Sequence, residues 1–329
     1  MQTTHNRHTA TLSAEILVVA YMGVIGLAAH LTGIYLFLFP ELAALSHDVL
    51  TRPRGKWASQ PLRLILTPTL TAAVGLFITR HTSYGAIASA VIALLALVVI
   101  KLLRSAIGPA ISAGVLPMVL GETSWLYPVS ICAGLVGLVV LLWAFRRWGP
   151  SFEAASDFTS GGAARHSAAV EALEAIPHDR FWVLSLLAFV LVLGAAAQMT
   201  GLRFILFPPL IVMAYEIFGH PEVPGWMARP IFFPFVCFLT ASIGLFAVHL
   251  IHASFVAVMV TTLFSIAVLR AFRVHMPPAL AVGLLPFVMT APNIWYPVSV
   301  GLGTIALMLS FWARRYFQNS FDSAAAEEV

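Results

Sequence analysis

Three carboxylic acids lie inside long apolar stretches of this chain. Glu41 falls near the middle of an apolar run at 33–50, and Asp48 lies nearer the end of the same run. Glu216 occupies the place equivalent to Asp48 in a later run of the same character. Ionisable groups at membrane depth are costly unless they are paired or hydrated, so they indicate function. The alternative is that these carboxylates and the arginines of the chain neutralise one another across an internal interface.

Basic residues stand just before two other apolar runs. Arg104 precedes the run at 107–121 and Arg273 precedes the run at 277–290, with Lys101 and Arg270 one helical turn earlier. Two interpretations are open for these side chains. They extend to lipid phosphates and set the orientation of the protein, or they form an electropositive vestibule for a small anion.

The two runs that follow these arginines are short and contain several prolines and glycines. A membrane span needs about 20 apolar residues, and proline removes a backbone donor and disrupts a helix. Inside a membrane such a break is tolerated where the freed carbonyls face protein or a water-filled cavity. Harmless kinks are one interpretation, but we predict discontinuous helices that line a substrate path. The predicted path comprises Arg104, Pro109, Gly114, Pro117, Tyr127, Arg273, His275, Pro278, Gly283, Pro286 and Tyr296.

These two regions are copies of one another. At a constant offset of 169 residues, Pro109 pairs with Pro278, and the run Tyr-Pro-Val-Ser recurs from Tyr127 at Tyr296. Further upstream the offset is 168 residues, which pairs Gly33 with Gly201. Shared apolar composition does not reproduce prolines, glycines and a four-letter run at one spacing. The chain therefore contains an internal duplication, which is common among transporters.

Composition and charge predict how the copies lie in a membrane. Hydrophobic residues make up 60% of the chain and charged residues only 10%, whereas soluble domains have roughly 25% charged residues. Each copy contains about six apolar segments, and with the N-terminus inside the cell 16 of the 18 Lys and Arg residues fall on the inner side. Because basic residues accumulate on the cytoplasmic side, we predict an all-α polytopic protein of two like-oriented repeats. We expect a bacterial inner membrane location with both termini cytoplasmic.

The predicted domain boundaries follow from the position of one polar stretch. The first transmembrane repeat covers 1–148, a cytoplasmic linker covers 149–180, the second repeat covers 181–318, and a C-terminal tail covers 319–329. The architecture favours a transporter or channel for a small solute. The alternative is a non-transporting membrane scaffold or sensor whose linker and tail bind a soluble partner.

The chain offers little for other chemistry. His249 and His252 have a spacing that suits a shared metal ion, but no further ligand accompanies them, so we expect interfacial polar residues and no metal site. Since no recurring His, Asp and Glu constellation is found, we expect neither an enzyme nor a cofactor. The expected partners are the lipid bilayer and a small molecule or ion, with no nucleic acid. A homo-oligomer is left open.

Several motifs resemble those of the HPP family of integral membrane proteins. His275, Pro277 and Pro278 resemble the His-Pro-Pro motif for which the family is named, although Met276 stands inside the motif, and the following A-L-A-V-G-L-L-P is similar to the family's Ala-rich continuation. Further similarities are the Gly-to-Phe stretches at 33–39 and 201–207 and the turns at 60–61 and 229–230. Some plant members of the family are associated with nitrite transport. The resemblance therefore implies transport of a small inorganic anion such as nitrite.

Overall fold

The computed structural model describes residues 2–148, 182–220, 230–252 and 254–327. These residues form twelve α-helices and no β-strand, which confirms the predicted all-α fold. Seven of the described helices are long and apolar enough to cross a membrane. Four shorter apolar helices accompany them, at Ala86–Leu102, Pro109–Leu120, Pro208–Gly219 and Pro278–Phe287. The protein is therefore a multi-pass membrane protein. The predicted linker at 149–180 lies outside the described residues, so the domain boundaries stay a prediction.

Each copy contributes six helices in the same order. In the first copy these are α1 (Gln2–Thr32), α2 (Glu41–Thr51), α3 (Pro61–His81), α4 (Ala86–Leu102), α5 (Pro109–Leu120) and α6 (Leu126–Trp148). In the second copy they are α7 (Trp182–Thr200), α8 (Pro208–Gly219), α9 (Phe232–Ile251), α10 (Phe255–Phe272), α11 (Pro278–Leu284) and α12 (Trp295–Glu327). Short 3-10 turns at Tyr35–Phe37 and Arg203–Leu206 precede α2 and α8, and a third at Leu285–Phe287 extends α11.

Contacts between connections show which helix ends share a face in the first copy. The indole Nε1 of Trp57, between α2 and α3, donates to the carbonyl of Ala106, between α4 and α5, at 2.9 Å. Near the end of α6, Nε of Arg146 donates to the carbonyl of Pro53 at 2.9 Å. The ends of α2, α4 and α6 therefore lie at one face, which we call the N-terminal face because α1 begins there. At the opposite face the Ala86 N–H donates to Oε1 of Gln198, at the end of α7, at 3.0 Å.

The second copy runs in the same direction. Near the end of α8 the carbonyl of Phe218 accepts a hydrogen bond from Arg314 of α12 at 2.9 Å. The start of α9 meets the end of α10, where the rings of Phe232 and Phe272 lie 5.5 Å apart. Each copy therefore passes six times between the two faces, as the prediction of like-oriented repeats requires.

Four of these passes contain only a short helix. With 11 residues in α2, 12 in α5, 12 in α8 and 7 in α11, each spans at most about 18 Å at 1.5 Å per residue, against roughly 30 Å of hydrocarbon. Irregular backbone completes each pass. A proline stands at or just before the start of every one: Pro40, Pro109, Pro208 and Pro278. Proline is well tolerated there because the first N–H groups of a helix have no intrahelical partner.

The four short helices form the centre of the protein, which we call the central cluster. Helices α2 and α5 contact each other, α8 and α11 contact each other, α2 packs on α11, and α5 packs on α8. Every residue of α5 from Pro109 to Val119 and every residue of α11 is buried. The longer helices surround the cluster, so the backbone of the short helices faces protein instead of lipid.

Glycine pairs bring the long helices close to the central cluster. A Cβ added at Gly75 of α3 would lie 1.8 Å from the carbonyl oxygen of Gly114 in α5. The equivalent pair in the second copy repeats this contact, because a Cβ at Gly244 would lie 1.8 Å from the carbonyl oxygen of Gly283. Small residues permit such close approach of membrane helices. Gly114 and Gly283 therefore serve packing against α3 and α9.

The second apolar run of the first copy is less regular than a single helix. Gly33 has a φ of +70°, a 3-10 turn follows at Tyr35–Phe37, and the α-helix begins only at Glu41. Pro40 lacks the N–H that would continue a helix through this point. The effect is to place Glu41 at a helix start deep inside the protein.

Candidate transport site

Glu41 and Ser112 join the starts of α2 and α5. Glu41 is the first residue of α2 and is only 2% exposed. Its Oε1 accepts a short hydrogen bond from the hydroxyl of Ser112, which lies in the first turn of α5 and is fully buried. The N-terminal ends of two helices, which carry partial positive charge, therefore meet at one carboxyl group.

Two tyrosines bind carbonyls that prolines leave free. In an α-helix the N–H of residue i donates to the carbonyl of residue i−4, so Pro117 leaves the carbonyl of Ala113 without its usual donor. The hydroxyl of Tyr127 donates to that carbonyl at 2.7 Å. In the second copy Pro286 leaves the carbonyl of Val282 free, and the hydroxyl of Tyr296 donates to it at 2.5 Å.

This geometry gives two pairs of predicted path residues a clear structural role. Tyr127 is 2% exposed and Tyr296 is 1% exposed, and each closes a hydrogen bond within its own copy. Pro117 lies inside α5, which continues to Leu120, whereas Pro286 lies in the 3-10 turn that follows α11. Both tyrosines also lie within electrostatic range of Glu41.

A second polar group lies nearer the N-terminal face and links the two copies. Glu15 of α1 forms a two-point ion pair with Arg270 at the end of α10, with Nε to Oε1 at 2.9 Å and Nη2 to Oε2 at 2.7 Å. The Glu15 side chain is 10% exposed and that of Arg270 is 46% exposed. A paired guanidinium and carboxylate is the strongest common form of such a contact.

Asp48 and His275 extend this group between α2 and the residues before α11. Asp48 accepts from Nε of Arg52 at 3.0 Å, and its Oδ1 lies 3.8 Å from Nε2 of His275. The rings of His47 and His275 are 6.5 Å apart, and Nε2 of His47 is 4.0 Å from Oε1 of Glu15. We call this set the inter-copy ionic cluster: Glu15, His47, Asp48, Arg52, Arg270 and His275.

Arg104 and Arg273 end α4 and α10 in the same unusual conformation. Their φ angles are +47° and +53°, a left-handed geometry that costs a non-glycine residue roughly 1–2 kcal/mol. In each case the next N–H closes the helix end, Ser105 to Ile100 at 2.9 Å and Val274 to Leu269 at 3.0 Å, in a Schellman-type cap. Both arginines are exposed at the N-terminal face, and neither forms an ion pair with another described residue.

The structure thus brings together some of the predicted site residues and separates others. Glu41 lies beside α5, His275 and Asp48 lie together nearer the N-terminal face, and Arg104 and Arg273 lie at that face itself. Pro109 and Pro278 start the short helices. Glu216 is half-buried in α8, away from the Glu41 carboxyl group, at the position that corresponds to Asp48.

Three residues of the site escaped the sequence-based prediction. Glu15 is an ionisable residue in an apolar segment, so the reasoning that selected Glu41 applies to it equally. The same reasoning applies to His47, which is ionisable and lies in the apolar run at 33–50. Ser112 carries no comparable signal, because single hydroxyl residues are common in membrane helices and only the fold reveals its partner. Among the described residues no group of three or more His, Cys, Asp or Glu could hold a metal ion. His249 instead places its Nδ1 2.9 Å from the carbonyl of Leu245.

No protein-family model, curated protein or solved structure matches the chain. The resemblance to the HPP family therefore stays a prediction that rests on the sequence motifs alone.

Proposed function

We propose that the protein is a transporter that moves a small inorganic anion, such as nitrite, between its two repeats. The observation that carries this proposal is the central cluster, in which short helices from both copies start at prolines inside the protein. Discontinuous helices at the interface of two repeats are a common construction for substrate sites in transporters. We further propose that the protein lies in the inner membrane of a bacterium, with both termini in the cytoplasm.

Two features of the cluster support an anion as the substrate. The starts of α2 and α5 meet at Ser112 and Glu41, and the partial positive charge of helix N-termini favours an anion. At the N-terminal face, Arg104 and Arg273 are exposed and have no described acidic partner. Unpaired positive charge at an entrance raises the local concentration of anions.

Removal of both entrance charges tests the proposal. In the variant Arg104→Gln with Arg273→Gln, we expect uptake of labelled nitrite by proteoliposomes to fall severalfold at low ionic strength. The difference from wild type should shrink as salt is added, because exposed charges are screened over about 10 Å at 0.1 M salt. Glutamine is polar and uncharged and bears a left-handed backbone cost similar to that of arginine, so the helix ends should persist.

A matched control separates an entrance from the general charge of the face. Lys101 and Arg147 are also exposed basic residues at the ends of α4 and α6, and Lys101→Gln with Arg147→Gln removes the same charge. This control should retain most of the flux. Equal losses in both double variants, unchanged anion flux in the first, or flux restricted to cations would each refute the anion entrance.

A further inference from the structure

Glu41 has one carboxyl oxygen that no described residue binds. Oε1 accepts from Ser112, whereas Oε2 is buried and has no hydrogen-bond partner among the described residues. A buried carboxyl oxygen without a donor is unfavourable unless something neutralises or binds it. The site therefore requires a further chemical species at Oε2 during part of its working cycle.

The other buried carboxylates of the first copy do not share this property. Glu15 is paired with Arg270, and Asp48 is paired with Arg52. Both pairs lie toward the N-terminal face. Asp48 is about two helical turns from Glu41 along α2, and Glu15 of α1 lies 4.0 Å from His47 at the same level. Glu41 is thus the buried carboxylate of this copy to which no described cation is paired.

The titratable groups packed around Glu41 leave its free oxygen without a donor. On α6 and α12 the hydroxyls of Tyr127 and Tyr296 already donate to backbone carbonyls. On α1 the hydroxyl of Tyr21 donates to the carbonyl of Gly134, and Glu15 is held by Arg270. The described parts of α5 and α11 contribute no titratable side chain. His47, Asp48 and His275 belong to the inter-copy ionic cluster.

The surroundings favour a proton over a metal cation at this oxygen. Hard metal cations take about six or more oxygen ligands. The starts of α2 and α5 instead carry partial positive charge, and the neighbouring side-chain oxygen is the hydroxyl of Ser112. A proton needs only Oε2 itself.

We propose that Glu41 carries the coupling proton, so that the protein is a proton–anion symporter, an inference that rests on the proposed function above. When Glu41 is ionised, its own negative charge occupies the junction of the two helix starts and repels an anionic substrate. A proton from water on Oε2 removes that charge, and the partial positive charge of the two helix starts then favours the anion. Proton and anion leave together on the other side, with no bond to any other group made or broken.

The second copy lacks the equivalent groups, which fixes the expected stoichiometry. Pro209 stands at the position that corresponds to Glu41, at an offset of 168, and Ala281 stands at the position of Ser112, at an offset of 169. The described parts of the two copies therefore offer one such carboxyl group and not a symmetrical pair. We infer one proton for each monovalent anion, which makes transport electroneutral.

The variant Glu41→Gln in proteoliposomes tests the inference. For wild type, an acid exterior one pH unit below the interior should drive labelled nitrite to about a tenfold accumulation with the membrane potential clamped at zero, since one pH unit equals a tenfold ratio for 1:1 coupling. In Glu41→Gln the accumulation ratio should fall to about one. Counterflow against internal unlabelled nitrite should stay within about threefold of wild type, because glutamine mimics the protonated acid.

Further variants guard against a trivial loss of folding. Glu41→Asp should keep pH-driven accumulation at a reduced rate. Glu122, in the α5–α6 connection, accepts backbone N–H groups from Thr123 and Ser124, and Glu122→Gln should behave like wild type in both assays. An internal pH dye should report acidification with nitrite entry in wild type and none in Glu41→Gln.

The possible results distinguish failure of the inference from failure of the proposed function. If Glu41→Gln still accumulates nitrite along a pH gradient, or if it loses counterflow as completely as accumulation, Glu41 does not carry the coupling proton. Wild-type accumulation that follows a sodium gradient instead would overturn the inference but leave anion transport intact. Absence of any nitrite flux in folded wild-type protein would overturn the proposed function itself.

Discussion

Removal of the Tyr127 hydroxyl should destabilise the protein through the carbonyl that Pro117 leaves free. The hydroxyl lies 2.7 Å from the carbonyl oxygen of Ala113, and Tyr127 is 2% exposed, so water cannot replace it. A buried polar group left without a partner costs about 1–3 kcal/mol. We therefore expect Tyr127→Phe to lower the free energy of unfolding by about 2 kcal/mol.

The same reasoning predicts a specific rescue. Pro117→Ala restores an N–H at position 117, which can donate to the carbonyl of Ala113 because α5 continues to Leu120. In that background Tyr127→Phe should cost only about 0.5 kcal/mol, since the carbonyl keeps a donor. The coupling between the two substitutions should thus exceed about 1 kcal/mol, within the range found for residues in one hydrogen-bond network.

The wild type, Tyr127→Phe, Pro117→Ala and the double variant form a double-mutant cycle. Reversible unfolding in mixed detergent micelles, with helix content followed by circular dichroism, measures the free energy of unfolding of each of the four proteins. Tyr296→Phe with Pro286→Ala is an informative parallel, because Pro286 lies in a 3-10 turn where an N–H points to the residue three positions earlier. Rescue should be weaker there. If Tyr127→Phe lowers the free energy of unfolding equally in the wild type and in the Pro117→Ala variant, the carbonyl of Ala113 is not the reason for the loss.

Two further predictions concern packing and the link between copies. Gly75→Ala should destabilise the protein by about 1–3 kcal/mol, because its Cβ would lie 1.8 Å from the Gly114 carbonyl oxygen. The control is Gly301→Ala, whose Cβ would meet the Phe238 ring at 3.6 Å. This control should be neutral or slightly stabilising in the same unfolding assay. A double-mutant cycle of Glu15→Gln and Arg270→Gln should give a coupling of about 1 kcal/mol that falls as salt is added, since the Arg270 side chain is 46% exposed. An additive cycle, or a coupling indifferent to salt, would count against that ion pair.

Much of this fold could be predicted because the relevant signals are local or repeated. Hydropathy located the segments, and the run at 107–121 corresponds to α5 at Pro109–Leu120. The duplication predicted that both copies share the short segment and its prolines. The division of the run at 33–50 was not predicted, because an apolar irregular stretch and an apolar helix have the same hydropathy. Only Pro40 marks the point at which α2 begins.

The site could be predicted less completely, because its polar contacts join distant parts of the chain. Glu41 and Ser112 are 71 residues apart, and Glu15 and Arg270 are 255 residues apart. No spacing rule for one helix or one loop connects such pairs. The sequence marked one member of each pair as an ionisable or basic residue near an apolar segment, and the packing of the helices supplied the other.

Comparison of the two copies separates the residues that the backbone requires from those that the proposed transport cycle requires. Each copy contains a proline-freed carbonyl, and each copy supplies a tyrosine hydroxyl to it, because an unsatisfied carbonyl is costly in either half. Glu41 and Ser112, by contrast, correspond to Pro209 and Ala281 in the second copy. A fold built from two equal halves gains nothing structural from a polar pair in only one of them. The proposed coupling site has no such need for symmetry, since transport of one proton requires only one carboxyl group.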